Sequence, residues 1–405
     1  MKIVQINAVG QTSSTGRNCK EIAEYINTFT NHICYTAFAQ GKKDMYCYQI
    51  GNKIEWKIHA LLSRIFGKQG YYSYIGTKKF LKYLDTIGPD IIHLNNLHGN
   101  YINMPLLFEY IKKNQIATVV TLHDCWFYTG KCTHYSLSKC YKWKNGCHDC
   151  EKLKEDNNSW FFDRTSIMWK DKQCYFNEIN NLAVIGVSRW ITNEAKQSLF
   201  KNAKIITSIY NWIDLDIFKV MDVKKLKKEI NLKNDFTILG VASEWSNKKG
   251  LDIFLKLAEK MENYNFIIVG KLPNIKIPSN VYHINMTNNV NELVQYYNIA
   301  DCFLQLSKEE SFGKVVAESL ACGTPVITST MTANPELINR NCGYVCDDFN
   351  EIIKCVEAIK KNGKEMYSRD CRLFAKKHFN MVDRINDYIK VYNKLINKQG
   401  MENMQ

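Results

Sequence analysis

The sequence predicts an α/β protein built from two doubly wound parallel-sheet domains, on three observations. Short apolar runs alternate with amphipathic segments, the pattern of strands feeding helices that cover both faces of a parallel sheet. The alternation breaks at residues 210–218 and then starts again. The chain has 405 residues, and at roughly 100–200 residues per domain that length holds two or three domains. The expected domains are 1–210 and 211–382, followed by a helical tract at about 383–397.

In the front half, apolar runs place strands at 2–7, 32–37, 91–94, 118–121 and 183–187. Helical patterns lie between them, among them 18–28, 77–87 and 104–114. In the back half, strands are expected at 236–242, 265–269, 281–284, 301–306, 325–328 and 343–345. The intervening helices read as 251–262, 290–298, 314–322 and 351–362. The third of these ends at Gly323, a suitable left-handed cap, and Pro325 bars its continuation.

Hydrophobic residues make up 45% of the chain and charged residues 23%, an ordinary globular balance far from that of a disordered chain. The opening MKIVQINAVG reads as a strand running into a glycine-containing loop, not as a secretory signal. No run approaches the roughly 20 apolar residues that span a bilayer. The expected location is the cytoplasm, where thiols stay reduced. P-loop, dinucleotide, zincin and serine-hydrolase motifs are absent.

The net charge of +14 is uneven. Residues 1–210 hold 27 Lys and Arg against 16 Asp and Glu, and residues 211–405 hold 27 against 24. The densest aromatic-basic stretch runs from 53 to 83 and includes Trp56, Lys57, Arg64, Phe66, Tyr71 and Lys78. Such a segment can lie on anionic lipid with its rings at the headgroup level. It can equally bind nucleic acid, or present a solvated helix face with its rings packed inward.

The run that carries chemistry is 306–327, LSKEESFGKVVAESLACGTPVI. A strand ends near Leu306, a loop holds Glu309, Glu310, Ser311 and Phe312, and a helix begins around Gly313. Glu310 and Glu318 are eight apart, one before the helix and one inside it. Two carboxylates so placed can bind hydroxyl-rich groups at two depths, while free N–H groups at the helix start hold a phosphate. Two acids alone are as well read as ordinary surface residues.

This E-S-F-G-x4-E run, with A-C-G-T-P-V-I after it, resembles the E-x7-E signature of the retaining glycosyltransferases of family 4, which have the GT-B fold. Residues 242–252, ASEWSNKKGLD, resemble the family's loop ending in K-G, and 210–218, YNWIDLDIF, its interdomain segment. Ser14-Thr15-Gly16-Arg17 is similar to its first-strand loop. Residues 89–98, PDIIHLNNLH, and 121–126, TLHDCW, are similar to its front-domain strand ends. The resemblance spans about residues 1–395.

The resemblance implies two facing Rossmann-like domains, the front one for the acceptor and the back one for a nucleotide-sugar donor. It implies a C-terminal helix that returns to the front domain. Glu318 would bind the nucleotide ribose, and Glu310 the hydroxyls of the transferred sugar, aided by the backbone of Ser311, Phe312 and Gly313. Lys249 would neutralise the diphosphate leaving group. Gly16 would allow close backbone approach near the phosphates, with Arg17 as helper. His123 would stand at the sugar and acceptor side, with His93, His98 and Asp124 further along it; a core or supporting role is an equal reading for His93 and His98. Transfer would retain anomeric configuration without an obligatory divalent metal, the departing phosphate taking the acceptor's proton.

The partners so implied are a UDP- or GDP-sugar and a saccharide or lipid-linked acceptor in surface polysaccharide assembly. With +11 on the front half, peripheral attachment to the inner face of the cytoplasmic membrane is the further expectation, and no nucleic acid is expected. Two departures stand out: Glu244 where many members carry Arg, and Ser311 in place of a commoner Gly. Rival readings are another GT-B nucleotide-sugar enzyme, an epimerase or phosphorylase, and a basic zinc-containing nucleic-acid-binding protein. His283 and His378 read as structural.

Cys132, Cys140, Cys147 and Cys150 follow Cys125 with the spacing C-x7-C-x6-C-x2-C. The segment of about 125–150 shows little strand or helix pattern, and a loop without its own core is where a tetrahedral thiolate site supplies folding energy. A structural zinc ion on these four thiols is the leading expectation; unligated thiols and an iron–sulfur cluster are the others.

Overall fold

The computed structural model describes residues 1–42, 44–223, 232, 235–287 and 289–402, with side chains as far as residue 396. The chain divides into two compact units, Met1–Ile209 with Ile385–Gln405, and Tyr210–Arg384.

The first unit runs β1 (Lys2–Val9), α1 (Ser14–Phe29), β2 (Ile33–Gln40), β3 (Cys47–Gln49), α2 (Lys53–Phe66) and α3 (Tyr74–Ile87). It continues with β4 (Ile91–Leu94), α4 (Met104–Lys113), β5 (Ala117–Leu122), α5 (Thr165–Asn177), β6 (Leu182–Gly186), α6 (Arg189–Lys196) and β7 (Ile205–Ser208). Its strands form one parallel sheet in the order β3-β2-β1-β4-β5-β6-β7. The central strands β4, β5 and β6 are buried along their length, which is why they read as near-continuous apolar runs. The edge strands β3 and β7 are only partly buried and carry no such run, so the apolar pattern misses both.

The second unit runs β8 (Thr237–Glu244), α7 (Leu251–Lys260), β9 (Asn265–Lys271), β10 (Val281–Ile284), α8 (Val290–Ile299) and β11 (Cys302–Gln305). Then come α9 (Lys314–Ala321), β12 (Val326–Thr328), β13 (Gly343–Val345), α10 (Phe349–Asn362) and α11 (Glu365–Phe379). Its parallel sheet has the order β10-β9-β8-β11-β12-β13. The strand order therefore reverses between β1 and β4 in one unit and between β8 and β11 in the other. Loops leaving the carboxyl ends of strands on either side of a reversal diverge and open a crevice, where α/β sheets bind ligands.

The last helix, α12 (Met381–Glu402), starts in the second unit and ends in the first. Ile385, Tyr388, Tyr392 and Leu395 are buried, at three- and four-residue steps that lay one face on the first sheet. Among the described residues no helix is long and apolar enough to cross a membrane.

Candidate active site

In the second unit the loops after β8 and β11 meet at the reversal point. Gly250 turns the first loop at φ +78°, and a Cβ there would lie 2.5 Å from Leu306 Cβ. Only glycine lets the 247–249 turn lie against the end of β11. The Lys308 N–H donates to the Lys248 carbonyl at 2.9 Å, fixing the register of the two loops. That register sets Lys249 Nζ 2.5 Å from Glu310 Oε1, and Gln305 Nε2 donates to the same oxygen at 3.3 Å. The Glu310 N–H donates to Thr332 Oγ1 at 2.9 Å. Thr332 itself is held at φ +53°, a left-handed conformation that a β-branched residue adopts only when its surroundings impose it.

Gly313, at φ +78°, begins α9, and no side chain caps that helix. No side chain therefore meets the positive end of its dipole. Glu318 lies one turn inside α9 and is 8% exposed. Its Oε2 accepts from the Tyr297 hydroxyl at 2.8 Å. Burial, reinforced by the Glu318 carboxylate, raises the Tyr297 pKa far above that of a free phenol, so the hydroxyl stays a donor. Ser311 is buried, and the Phe312 ring packs 5.9 Å from Tyr210 and 5.5 Å from Phe379. Glu244 is exposed beyond an irregularity in β8 and stands 3.7 Å from Lys271. Tyr297, Thr332 and Gln305 are the residues that motif reading missed, since each comes from a different element.

In the first unit the reversal point is lined mainly by neutral groups, with Arg17 and the His98–Asp124 pair beside them. Gly16 sits where α1 begins, and a Cβ there would lie 1.8 Å from the Gly10 carbonyl oxygen. Ser13 caps α1 by accepting from the Gly16 N–H at 3.0 Å, and Arg17 beside it is exposed. Asn7 Nδ2 donates to Thr15 Oγ1 at 3.2 Å. His123, at the end of β5, has Nε2 2.9 Å from Asn95 Oδ1. His98 Nε2 lies 3.0 Å from Asp124 Oδ2, and both are partly exposed. Burial opposes charge on His98, but the Asp124 carboxylate outweighs it and raises the imidazole pKa. Burial likewise opposes charge on Asp124, and the His98 pairing still lowers its pKa.

His93 does not belong with these residues. It is fully buried, with Nε2 2.7 Å from Thr121 Oγ1 and Nδ1 2.8 Å from the Tyr392 hydroxyl. Burial, with a smaller contribution from His123, pushes its pKa down to about 3. It is a core residue that seats α12 on the sheet, and its expected place on the acceptor side is corrected.

The cysteine-rich segment is also corrected: it has a core of its own. Tyr128, Tyr135 and Trp143 are buried and in mutual ring contact. Three buried lysines tie the loop together. Lys131 Nζ donates to the Leu153 carbonyl at 2.9 Å, Lys152 Nζ to the His134 carbonyl at 2.8 Å, and Lys172 Nζ to the Trp126 carbonyl at 2.6 Å. Cys132 and Cys150 are neighbours that perturb each other's ionisation, while Cys147 Sγ accepts from the Gly130 N–H at 3.1 Å. Among the described residues, no three Cys, His, Asp or Glu groups are arranged to hold a metal ion. The four-thiol arrangement expected for Cys132, Cys140, Cys147 and Cys150 is therefore not the one seen, and no step below uses it.

Comparison with known proteins bears on both units. Residues 222–372 match the family model described as glycosyl transferases group 1. The N-acetyl-alpha-D-glucosaminyl L-malate synthase of Bacillus anthracis is 31% identical over 179 residues, covering 40% of this chain and 46% of that protein. The O-antigen biosynthesis glycosyltransferase WclY of Escherichia coli is 24% identical over 318 residues, 76% of this chain and 79% of that one. Among solved structures, that of HepE from Anabaena in complex with UDP-glucose superposes with a TM-score of 0.67. It shares 15% sequence identity and covers 97% of this chain and 100% of that one, a likeness of fold. The second unit thus carries a domain matching the group 1 glycosyl transferases, and the two parallel-sheet units together have the GT-B fold.

Proposed function

We propose that the protein transfers a sugar from a nucleotide-sugar donor to a saccharide or lipid-linked acceptor in surface polysaccharide assembly, with retention of anomeric configuration. The observation that carries this reading is the Lys249–Glu310 pair beside the uncapped start of α9. The names of the relatives, an O-antigen glycosyltransferase among them, and the UDP-glucose of the HepE structure support it.

The pair works as a placeholder. Both side chains are partly exposed, at 37% and 17%, and ion pairs of that kind contribute about 0–1 kcal/mol. A donor diphosphate therefore displaces Glu310 from Lys249 at small cost. It gains the ammonium group and the positive end of the α9 dipole in exchange. The same exchange frees the Glu310 carboxylate to accept from hydroxyls of the sugar, so one binding event arms both residues. As the glycosidic bond to phosphate breaks, negative charge grows on the diphosphate, and Lys249 stabilises it most at that moment. Glu318 receives the ribose hydroxyls, with Tyr297 holding its second oxygen in place. In the first unit, His123, braced by Asn95, meets the acceptor side, and the leaving phosphate takes the acceptor's proton. No step needs a divalent metal, and transfer is expected to persist in EDTA.

A thermal-shift screen of the full chain against UDP-, GDP- and ADP-sugars tests the donor site, because a ligand that binds only the folded state raises its melting temperature. One nucleotide class is expected to raise it, and Lys249→Ala to abolish the rise. Silence from all three classes would end the reading.

A further inference from the structure

A surface helix normally buries its apolar side and shows water a polar one. The helix α2 has apolar residues on both sides. Trp56 and His59 point inward, while Ile54, Ile58 and Leu61 are 72%, 52% and 47% exposed. Those three recur at steps of four and three residues, which makes them one outward stripe. The stripe does not stop at the helix end. The Phe66 ring stacks on Phe162 at 6.4 Å, and the Trp160 N–H donates to the Arg64 carbonyl at 2.6 Å. The loop so pinned carries Phe161, 69% exposed. At the other end the Gly76 N–H donates to Glu55 Oε1 at 2.8 Å. This contact brings the start of α3, with Ile75 at 66% exposure, beside the start of α2.

The helices that carry this apolar face are positive. Helices α2 and α3 carry Lys53, Lys57, Arg64, Lys78, Lys79 and Lys82, all exposed, against the acids Glu55 and Asp85. Glu55 is spent on the Gly76 N–H. Contiguous apolar surface of this kind marks an interaction site, and its charge selects the partner. A protein partner would need a matching acidic groove. A nucleic acid could stack on Phe161 but would leave the exposed aliphatic stripe of Ile54, Ile58 and Leu61 in water. An anionic bilayer satisfies both features at once, taking the aliphatic side chains into its headgroup–acyl boundary and the cations onto its phosphates. From this geometry we propose that the outer face of α2, with Phe161 and Ile75, is where the protein docks on an anionic lipid surface. The proposal stands independently of the transfer chemistry.

Co-sedimentation of the full-length protein with phosphatidylcholine vesicles, with and without phosphatidylglycerol, tests it. Binding is expected only with the anionic lipid and is expected to fall as salt rises. The exposed Ile58→Glu/Leu61→Glu/Phe161→Glu variant, checked for an unchanged melting temperature, is expected to lose more than about a hundredfold in partition coefficient, since each anchor is worth about tenfold. Lys57→Gln/Arg64→Gln is expected to lose about fivefold per charge. Three outcomes overturn the proposal: equal binding of wild type and the triple variant, equal binding to neutral vesicles, or no vesicle binding at all. Concentration-dependent dimerisation that the triple variant abolishes, or salt-sensitive oligonucleotide binding through the same residues without lipid binding, assigns the face elsewhere.

Discussion

Both sheets reverse their strand order once, but the two reversal points are furnished differently. In the C-terminal unit the loops after β8 and β11 meet through a charged contact, Lys249 on Glu310 at 2.5 Å. In the N-terminal unit the strand ends carry mainly neutral contacts, Asn7 on Thr15 at 3.2 Å and His123 on Asn95 at 2.9 Å, with the His98–Asp124 pair as the exception. A partly exposed ion pair is cheap to split and leaves two full charges for a ligand. A network of amides, hydroxyls and imidazole suits hydroxyl groups, which give and take hydrogen bonds without changing charge. On the proposed function, the charged contact meets an anionic leaving group and the mainly neutral one a polyol.

The largest effect expected from breaking this contrast lies in the charged half. Lys249→Ala and Glu310→Gln are each expected to lower kcat by about 10²–10³, the magnitude seen when one preorganised stabilising group is removed. Thermal unfolding should be nearly unchanged. Steady-state kinetics beside a melting curve checks both, and near-normal turnover in either variant refutes the assignment.

In the neutral half the contrast sharpens between two histidines. His93→Ala removes contacts to Thr121 and Tyr392 inside the core and is expected to cost about 2–4 kcal/mol of stability, from lost hydrogen bonds and a cavity. Donor binding should survive, since Lys249, Glu310 and Glu318, to which the proposed function gives the donor, lie in the other unit. His123→Ala should reverse that pattern, with a lower transfer rate and an unchanged melting temperature. Denaturant melts and donor titrations of the two variants separate the cases; a destabilised His123→Ala would make it a core residue too.

A smaller effect is expected from Tyr297→Phe. It leaves the Glu318 carboxylate one buried donor short, a loss of about 1–3 kcal/mol. The loss should appear in nucleotide affinity measured by calorimetry, with kcat at saturating donor close to wild type. A change confined to kcat would argue against a ribose role for Glu318.

Which of these residues were legible in the sequence follows from how far apart their partners lie. Glu310, Gly313 and Glu318 share one strand–loop–helix, and Gly323, at φ +73°, closes it, so the segment could be read locally. Tyr297 reaches Glu318 from the preceding helix, and Thr332 reaches Glu310 from beyond β12; nothing in their own neighbourhoods signals this. His93 misled because its partner Tyr392 is 299 residues away. A histidine at a strand end reads as a site residue until the returning helix covers it. The cysteine-rich segment misled because its core is made of aromatic rings and buried lysines, which have no period, while its thiols have a conspicuous spacing. The edge strands β3 and β7 escaped because half-buried strands need no apolar run.

The finest test of the contrast concerns charge in the nominally neutral unit. His98 and Asp124 form its one described ion pair near the strand ends, and each holds the other charged. His98 has a raised pKa, so its contribution to stability is fully present below the unfolded value of 6.5 and fades as pH rises through the folded value. Asp124 has a lowered pKa, so its contribution is present above the unfolded value of 3.8 and fades as pH falls through the folded value. The pair is therefore at full strength between those limits, in mildly acidic solution. In Asp124→Asn the burial of His98 is opposed only by the weaker pull of Asp156, and its titration midpoint should move down. An NMR titration of the His98 ring reads this directly. A midpoint unmoved by the substitution would mean that Asp124 does not charge His98.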